Sequence, residues 1–198
     1  MNEQLFGATL GIITTLIGGV FGFLLSEIST RRREVRQARA LSESVRLILG
    51  LEIERNLDSV KTVWEAISGP AGDQTGDRRK IILAERWALT PSPPFSRDSF
   101  KAQLNLFPAA LSTQKIRAVF HIYDSLSQLE NFRAELISAL ADQQSELSKF
   151  RQSQTAPGQA PGIVYAPRRP FDSKAEMNWD TIEKTLIELV KSGNPLTE

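Results

Sequence analysis

The sequence predicts an all-α chain, with an N-terminal transmembrane helix continuing into a cytoplasmic antiparallel helical bundle built on two long helices. Three observations predict it. Residues Leu5 to Leu25 carry no charged side chain over 21 positions. Downstream, apolar residues recur at helical spacing, and no run alternates apolar and polar residues for long enough to make a useful strand. The expected organisation is an anchor over 1–30, a helical cytoplasmic domain over 31–151, a proline-rich linker over 152–172 and a C-terminal helix over 173–198 that packs on the bundle.

The opening stretch reads as a membrane anchor on length and flanks. A helix of 21 residues reaches roughly 31 Å at ~1.5 Å per residue, close to the ~30 Å hydrocarbon core of a bilayer. A buried core helix would need protein around its whole circumference. A cleaved leader would want a basic start and a small-x-small site. Met1-Asn2-Glu3-Gln4 has no basic side chain, and Ser26-Glu27-Ile28-Ser29 offers no good site. Behind the stretch stand Arg31, Arg32, Arg33, Arg36 and Arg39 against the single acid Glu34. Such flanks stay on the cytoplasmic side, so the expected address is the cell inner membrane, crossed once, with the N-terminus outside. The same arginines form a collar for lipid headgroups, each worth about 1 kcal/mol near an anionic surface.

Glycine marks one side of the anchor. At ~100° per residue, Gly7, Gly11, Thr14, Gly18 and Gly22 fall within an arc of about 80°, leaving a face on which another backbone can approach closely. The expected partner is a second copy of the chain or another membrane protein; the sequence leaves the two open.

Beyond the collar, residues 31–40 are polar on nearly every face and read as a stalk. A stripe then follows: Val45, Leu49, Ile53, Val60, Val63 and Ile67, broadened by Leu41, Ile48, Leu57 and Trp64. Gly69-Pro70 ends this first long helix. Arg79 to Leu89 forms a short helix or turn, Pro91-Ser92-Pro93-Pro94 breaks the chain, and Asp98 to Phe107 forms another short element. Ser112 caps a second long helix, Thr113 to about Arg151, with Ile116, Val119, Phe120, Tyr123, Leu126, Leu129, Leu136, Ile137, Leu140, Leu147 and Phe150 on its apolar side. The matching reach of 38 residues from Arg31 to Ser68 and 39 from Thr113 to Arg151 favours an antiparallel pair. That pairing would return Asp142 and Glu146 to the collar. Ser173-x-x-Glu176 reads as a capping box opening the last helix, whose stripe is Met177, Trp179, Ile182, Leu186, Leu189 and Val190.

Composition excludes several chemistries. There is no cysteine, which removes disulfides and thiolate nucleophiles, and a single histidine makes histidine metal sites and triads unexpected. A net charge of +1 supplies no field for nucleic acid, and no aromatic residue interleaves the arginines. Gly69, Gly72 and Gly76 precede Lys80 at the wrong spacing for a phosphate loop, and no strand feeds them. His121 and Asp124, at i and i+3, read as a surface pair; Ala118 stands where a Glu-x-x-His metal motif needs its acid. Tyr165 with Pro167 to Phe171 reads as a linker stapled by aromatics, or as a docking peptide.

Glu52 and Asn56 are the most informative polar residues. They lie at i and i+4 inside an apolar stripe, where a carboxylate and an amide are costly unless bonded. The two readings are a polar clamp that fixes register or caps the short helices, and a polar spot in a ligand groove.

The uncharged span, the collar, "LEIERNL" (Leu51 to Leu57), Trp87 before "PPFSRDSF", and "IYDSLSQLENF" together resemble a loose group of small bacterial single-pass membrane-anchored proteins. In that group a Glu-Ile-x-x-Asn-Leu stretch on the first cytoplasmic helix precedes a Phe-containing loop and a Tyr-x-x-Leu helix. The resemblance covers most of residues 5 to 135. It implies a helical cytoplasmic module and carries no assigned reaction. The expected function is a membrane-anchored interaction or scaffold module acting through helix association, without enzyme activity or cofactor. The alternative is a membrane effector or sensor subunit of a bacterial stress or phage-defence system.

Overall fold

A computed structural model describes the backbone of residues 2–69, 76–154 and 169–197, and side chains in these segments at 18–69, 76–151 and 169–197. Among the described residues six α-helices form: α1 (Asn2–Ser68), α2 (Asp77–Leu89), α3 (Asp98–Gln103), α4 (Phe107–Ala110), α5 (Thr113–Gln154) and α6 (Pro170–Lys191). A 3-10 turn at Leu104–Leu106 joins α3 to α4, and no strand occurs among the described residues. The secondary structure of the described residues is all-helical.

α1 runs unbroken for 67 residues, roughly 100 Å at ~1.5 Å per residue, because the first proline of the chain is Pro70. Its C-terminal carbonyls are closed by Arg86, whose guanidinium donates to Ile67 O and Gly69 O at 3.3 Å each. A cation there also suits the negative end of the helix dipole. At the start of α5, the Ser112 hydroxyl accepts from the Lys115 N–H at 3.4 Å and Ser112 O accepts from Ile116 N–H at 2.9 Å.

The long helices are arranged differently from the antiparallel pair expected. At the base, Ser42 and Arg46 of α1 donate to Ala110 O, just before α5 begins. Higher up, Glu52 meets Tyr123, and higher again Val60 and Val63 share a cleft with Leu129 and Arg133. Residue numbers therefore rise together, and α1 and α5 run parallel. α6 runs against both: Asn194 reaches Gly50 at its lower end, and Lys174 reaches Glu135 at its upper end. The reason lies in residues 76–112, the described part of the connection between α1 and α5. They descend the whole length of the bundle as α2, an extended strap, α3 and α4, so α5 starts again at the collar end. Asp142 and Glu146 consequently lie at the far end, away from the arginines. Near them Leu140, Gln143 and Leu147 share a cleft with Arg78 of α2 and Phe171 of α6.

The core fills the space between these legs. Val45, Leu49, Ile53, Val60, Val63 and Ile67 are all buried, while Leu41 and Ile48 at the edge of the α1 stripe stay exposed. On α6, Trp179, Ile182, Leu186 and Leu189 are buried, and Trp179 meets Trp87 edge to face at 6.2 Å. Met177 is 80 % exposed, against the expectation, because at ~100° per residue it sits about 160° around the helix from Trp179. Phe171 and Ala175 take its place in the core. They can do so because α6 opens at Pro170, three residues before the capping box. Proline is well suited to a first helical position, where no N–H bond is lost.

Among the described residues no helix is long and apolar enough to cross a membrane. The side chains of Leu5 to Ile17 lie outside the described set, and with them Gly7, Gly11 and Thr14.

Candidate functional site

The polar residues of the bundle converge on one feature, the strap of residues 90–100 that crosses between α1 and α5. A strap of this kind cannot satisfy its own backbone groups, so side chains from both helices must do it. Glu52 supplies the largest share. Its Oε2 accepts from Ser96 Oγ at 3.0 Å and from Ser99 N–H at 2.7 Å. Its Oε1 accepts from Phe100 N–H at 3.1 Å and from the Tyr123 hydroxyl. Ser99 and Phe100 are in the first turn of α3, whose N–H groups have no partner inside the helix. Glu52 is therefore an N-terminal cap delivered from a different helix, with its charge at the favourable end of the dipole.

Asn56, one turn on, grips the residue before that helix turn. Its Oδ1 accepts from Ser96 N–H at 2.9 Å and its Nδ2 donates to Ser96 O at 2.8 Å. Glu52 and Asn56 are 7 % and 2 % exposed. All four acceptor positions of the Glu52 carboxylate are occupied, which leaves none for a ligand. Burial alone would raise its pKa; the hydrogen bonds from Tyr123, Ser99, Phe100 and Ser96 outweigh burial and hold it below the usual carboxylate range. Tyr123 is pushed the other way, first by burial and then by its bond to the Glu52 carboxylate. Phe100 stacks on the Tyr123 ring at 4.2 Å, and this closes the apolar side of the cap.

The α5 side of the strap is held by residues that periodicity does not single out. Glu130 accepts from Phe95 N–H at 2.9 Å and pairs with Arg97. Arg133 donates to Ser92 O at 3.3 Å and to Thr90 O. Their sequence signal is weak: an acid and a base at i and i+3 normally read as a solvated surface pair. Beneath the strap lies a cleft of about 360 Å³, walled by Val60, Val63, Trp87, Phe95, Leu129 and Leu186, with Glu130 and Arg133 among its lining residues.

The other residues singled out in the sequence lie elsewhere. Arg31 pairs with Glu27 at 2.9 Å, and Arg32, Arg33, Arg36 and Arg39 project from the exposed part of α1. Gly18 and Gly22 are exposed, and a Cβ built on either meets nothing within 4 Å. His121 and Asp124 are exposed, and Asp124 accepts from Gln128 at 3.1 Å. Lys80 pairs with Asp180 at 2.7 Å, beside the Arg79–Glu183 pair at 2.8 Å. Gly72, Tyr165, Pro167 and Arg168 lie outside the described residues. Among the described residues no group of three or more acids and histidines is placed to hold a metal ion. No known protein family, curated protein or solved structure matches the chain.

Proposed function

We propose that this protein is a single-pass, membrane-anchored helical module that works by association along α1. The observation that carries the reading is the bare apolar surface at the foot of that helix. Val20, Phe21, Phe23, Leu24, Leu25 and Ile28 are 47–69 % exposed, and at ~100° per residue they span an arc of about 200°. Among the described residues nothing covers these side chains, and an exposed apolar surface of this kind suits lipid or another protein around it. It directly continues the uncharged stretch from Leu5, and the arginine collar follows at the distance of a bilayer crossing.

The glycines add the mode of association. Since a Cβ at Gly18 or Gly22 meets nothing within 4 Å among the described residues, the packing described within one molecule does not require glycine there. A requirement for glycine would come from a neighbouring helix. The unbroken α1 then links any such contact mechanically to the bundle, which also suits the alternative of a membrane sensor or effector. Crosslinking of the full-length protein in membranes tests the reading. Gly11→Leu combined with Gly18→Leu is expected to abolish crosslinked oligomers while leaving the monomer's melting temperature unchanged. Undiminished oligomers would rule out the glycine face as the contact.

A further inference from the structure

The cleft beneath the strap is built differently from the rest of the bundle interior. Its walls are apolar, yet one wall holds a guanidinium with no carboxylate partner among the described residues. Glu130 lines the same cleft, but its ion pair is with Arg97 and its other oxygen accepts from Phe95 N–H. Arg133 spends two of its five N–H donors on the carbonyls of Thr90 and Ser92, and its Nε is buried without any partner. A cation bound only to neutral carbonyls beside a low-dielectric space favours an incoming anion strongly. Ala134 and Ile137 of α5 line the same cleft and are exposed, which gives it a mouth on the outer face of the bundle.

We propose that this cleft is a binding site for a small amphiphile with one anionic end, of the class of a medium-chain carboxylate. Its chain lies against Val60, Val63, Trp87, Leu129 and Leu186, and its carboxylate meets the free donors of Arg133. The volume of about 360 Å³ is at the small end of the ~300–1,000 Å³ typical of small-molecule sites. One short chain fits that space, and a diacyl lipid does not. Binding would clamp the strap further, since the residue that meets the ligand is the one holding Thr90 and Ser92.

The test uses the full-length protein in nanodiscs of zwitterionic lipid, labelled with a diazirine-bearing decanoate and mapped by peptide mass spectrometry. Adducts are expected on the peptides containing Leu129 to Ile137, saturating with probe and competed by unlabelled decanoate, but not by decanol or decyltrimethylammonium. Arg133→Gln is expected to raise the half-saturating concentration at least about tenfold, the value of a charge-assisted bond. Because Arg133 also holds the strap, Ala134→Phe provides a second variant: it fills the mouth from an exposed position and is expected to abolish saturable labelling without lowering the melting temperature. Labelling that is non-saturable, confined to the membrane-proximal part of α1, or undiminished in Ala134→Phe would overturn the site. Equal competition by decanol would overturn the role of Arg133.

Discussion

Glu52 shows how much structure a single buried carboxylate can organise. Two of its donors are N–H groups of α3, one is the strap's serine hydroxyl and one is a phenol on α5. Replacing it with glutamine keeps the shape but substitutes an amide NH2 for one acceptor oxygen, so buried donors face a donor. Glu52→Gln is therefore expected to cost at least about 2 kcal/mol, and Tyr123→Phe, which removes one donor, about 1 kcal/mol. Urea denaturation of each single variant and the double variant checks both values and their coupling. The pH dependence follows from the lowered pKa of Glu52. Its stabilisation is fully present above the unfolded carboxylate pKa of about 4.3 and is lost as pH falls through the lower folded value. Between pH 6 and pH 3 the wild-type urea midpoint should fall further than that of Glu52→Gln. Parallel decline in the two proteins would remove Glu52 from the account. An i, i+4 polar pair in an apolar stripe was legible in the sequence; its partners were not, because they come from positions 40 to 71 residues away with no periodic signature.

The elements were read well where one stripe faces one core. The α1 stripe from Val45 to Ile67 is buried throughout, since a 3.6-residue repeat on a single face leaves no ambiguity. Sequence and structure differ at the edges and starts of elements. Met177 is apolar and so joins the expected stripe, yet its angle puts it on the opposite face from Trp179. A Ser-x-x-Glu pattern outweighed Pro170, which is the residue that opens α6. These differences are measurable: Trp179→Ala should cost about 3–5 kcal/mol, while Met177→Ala should stay within about 0.5 kcal/mol. A comparable loss at Met177 would mean that its face is covered. The direction of α5 was beyond periodicity altogether. Helix lengths suggested antiparallel neighbours, but direction is set by how many times the intervening chain crosses the bundle. The strap and short helices make one extra crossing, and they look like loop in the sequence. The chain has no cysteine, so engineered pairs report topology cleanly. Ser42→Cys with Ala110→Cys should be bridged by a short bismaleimide, and Ser42→Cys with Glu146→Cys should not. The reverse pattern would restore the antiparallel arrangement.

At the scale of the whole molecule, one long helix carries a small bundle on its upper part and an apolar shaft below, whose described large side chains are exposed. The bundle's descending leg is the irregular one, and polar caps from α1 and α5 substitute for the helical hydrogen bonds it lacks. Such a leg depends on its neighbours, so a signal that moves α1 would reach the strap through Glu52 and Asn56. For the membrane-anchored module proposed above, this is the physical route from membrane to cleft. Everything at this scale rests on the shaft being held in lipid. Alkaline carbonate extraction of membranes from cells making the full-length protein tests that most directly. The protein should stay entirely in the membrane pellet, with residues beyond the arginine collar digested by protease only once the cytoplasmic side is exposed. Release into the carbonate supernatant would show that the apolar shaft is covered by protein and that the chain spans no membrane.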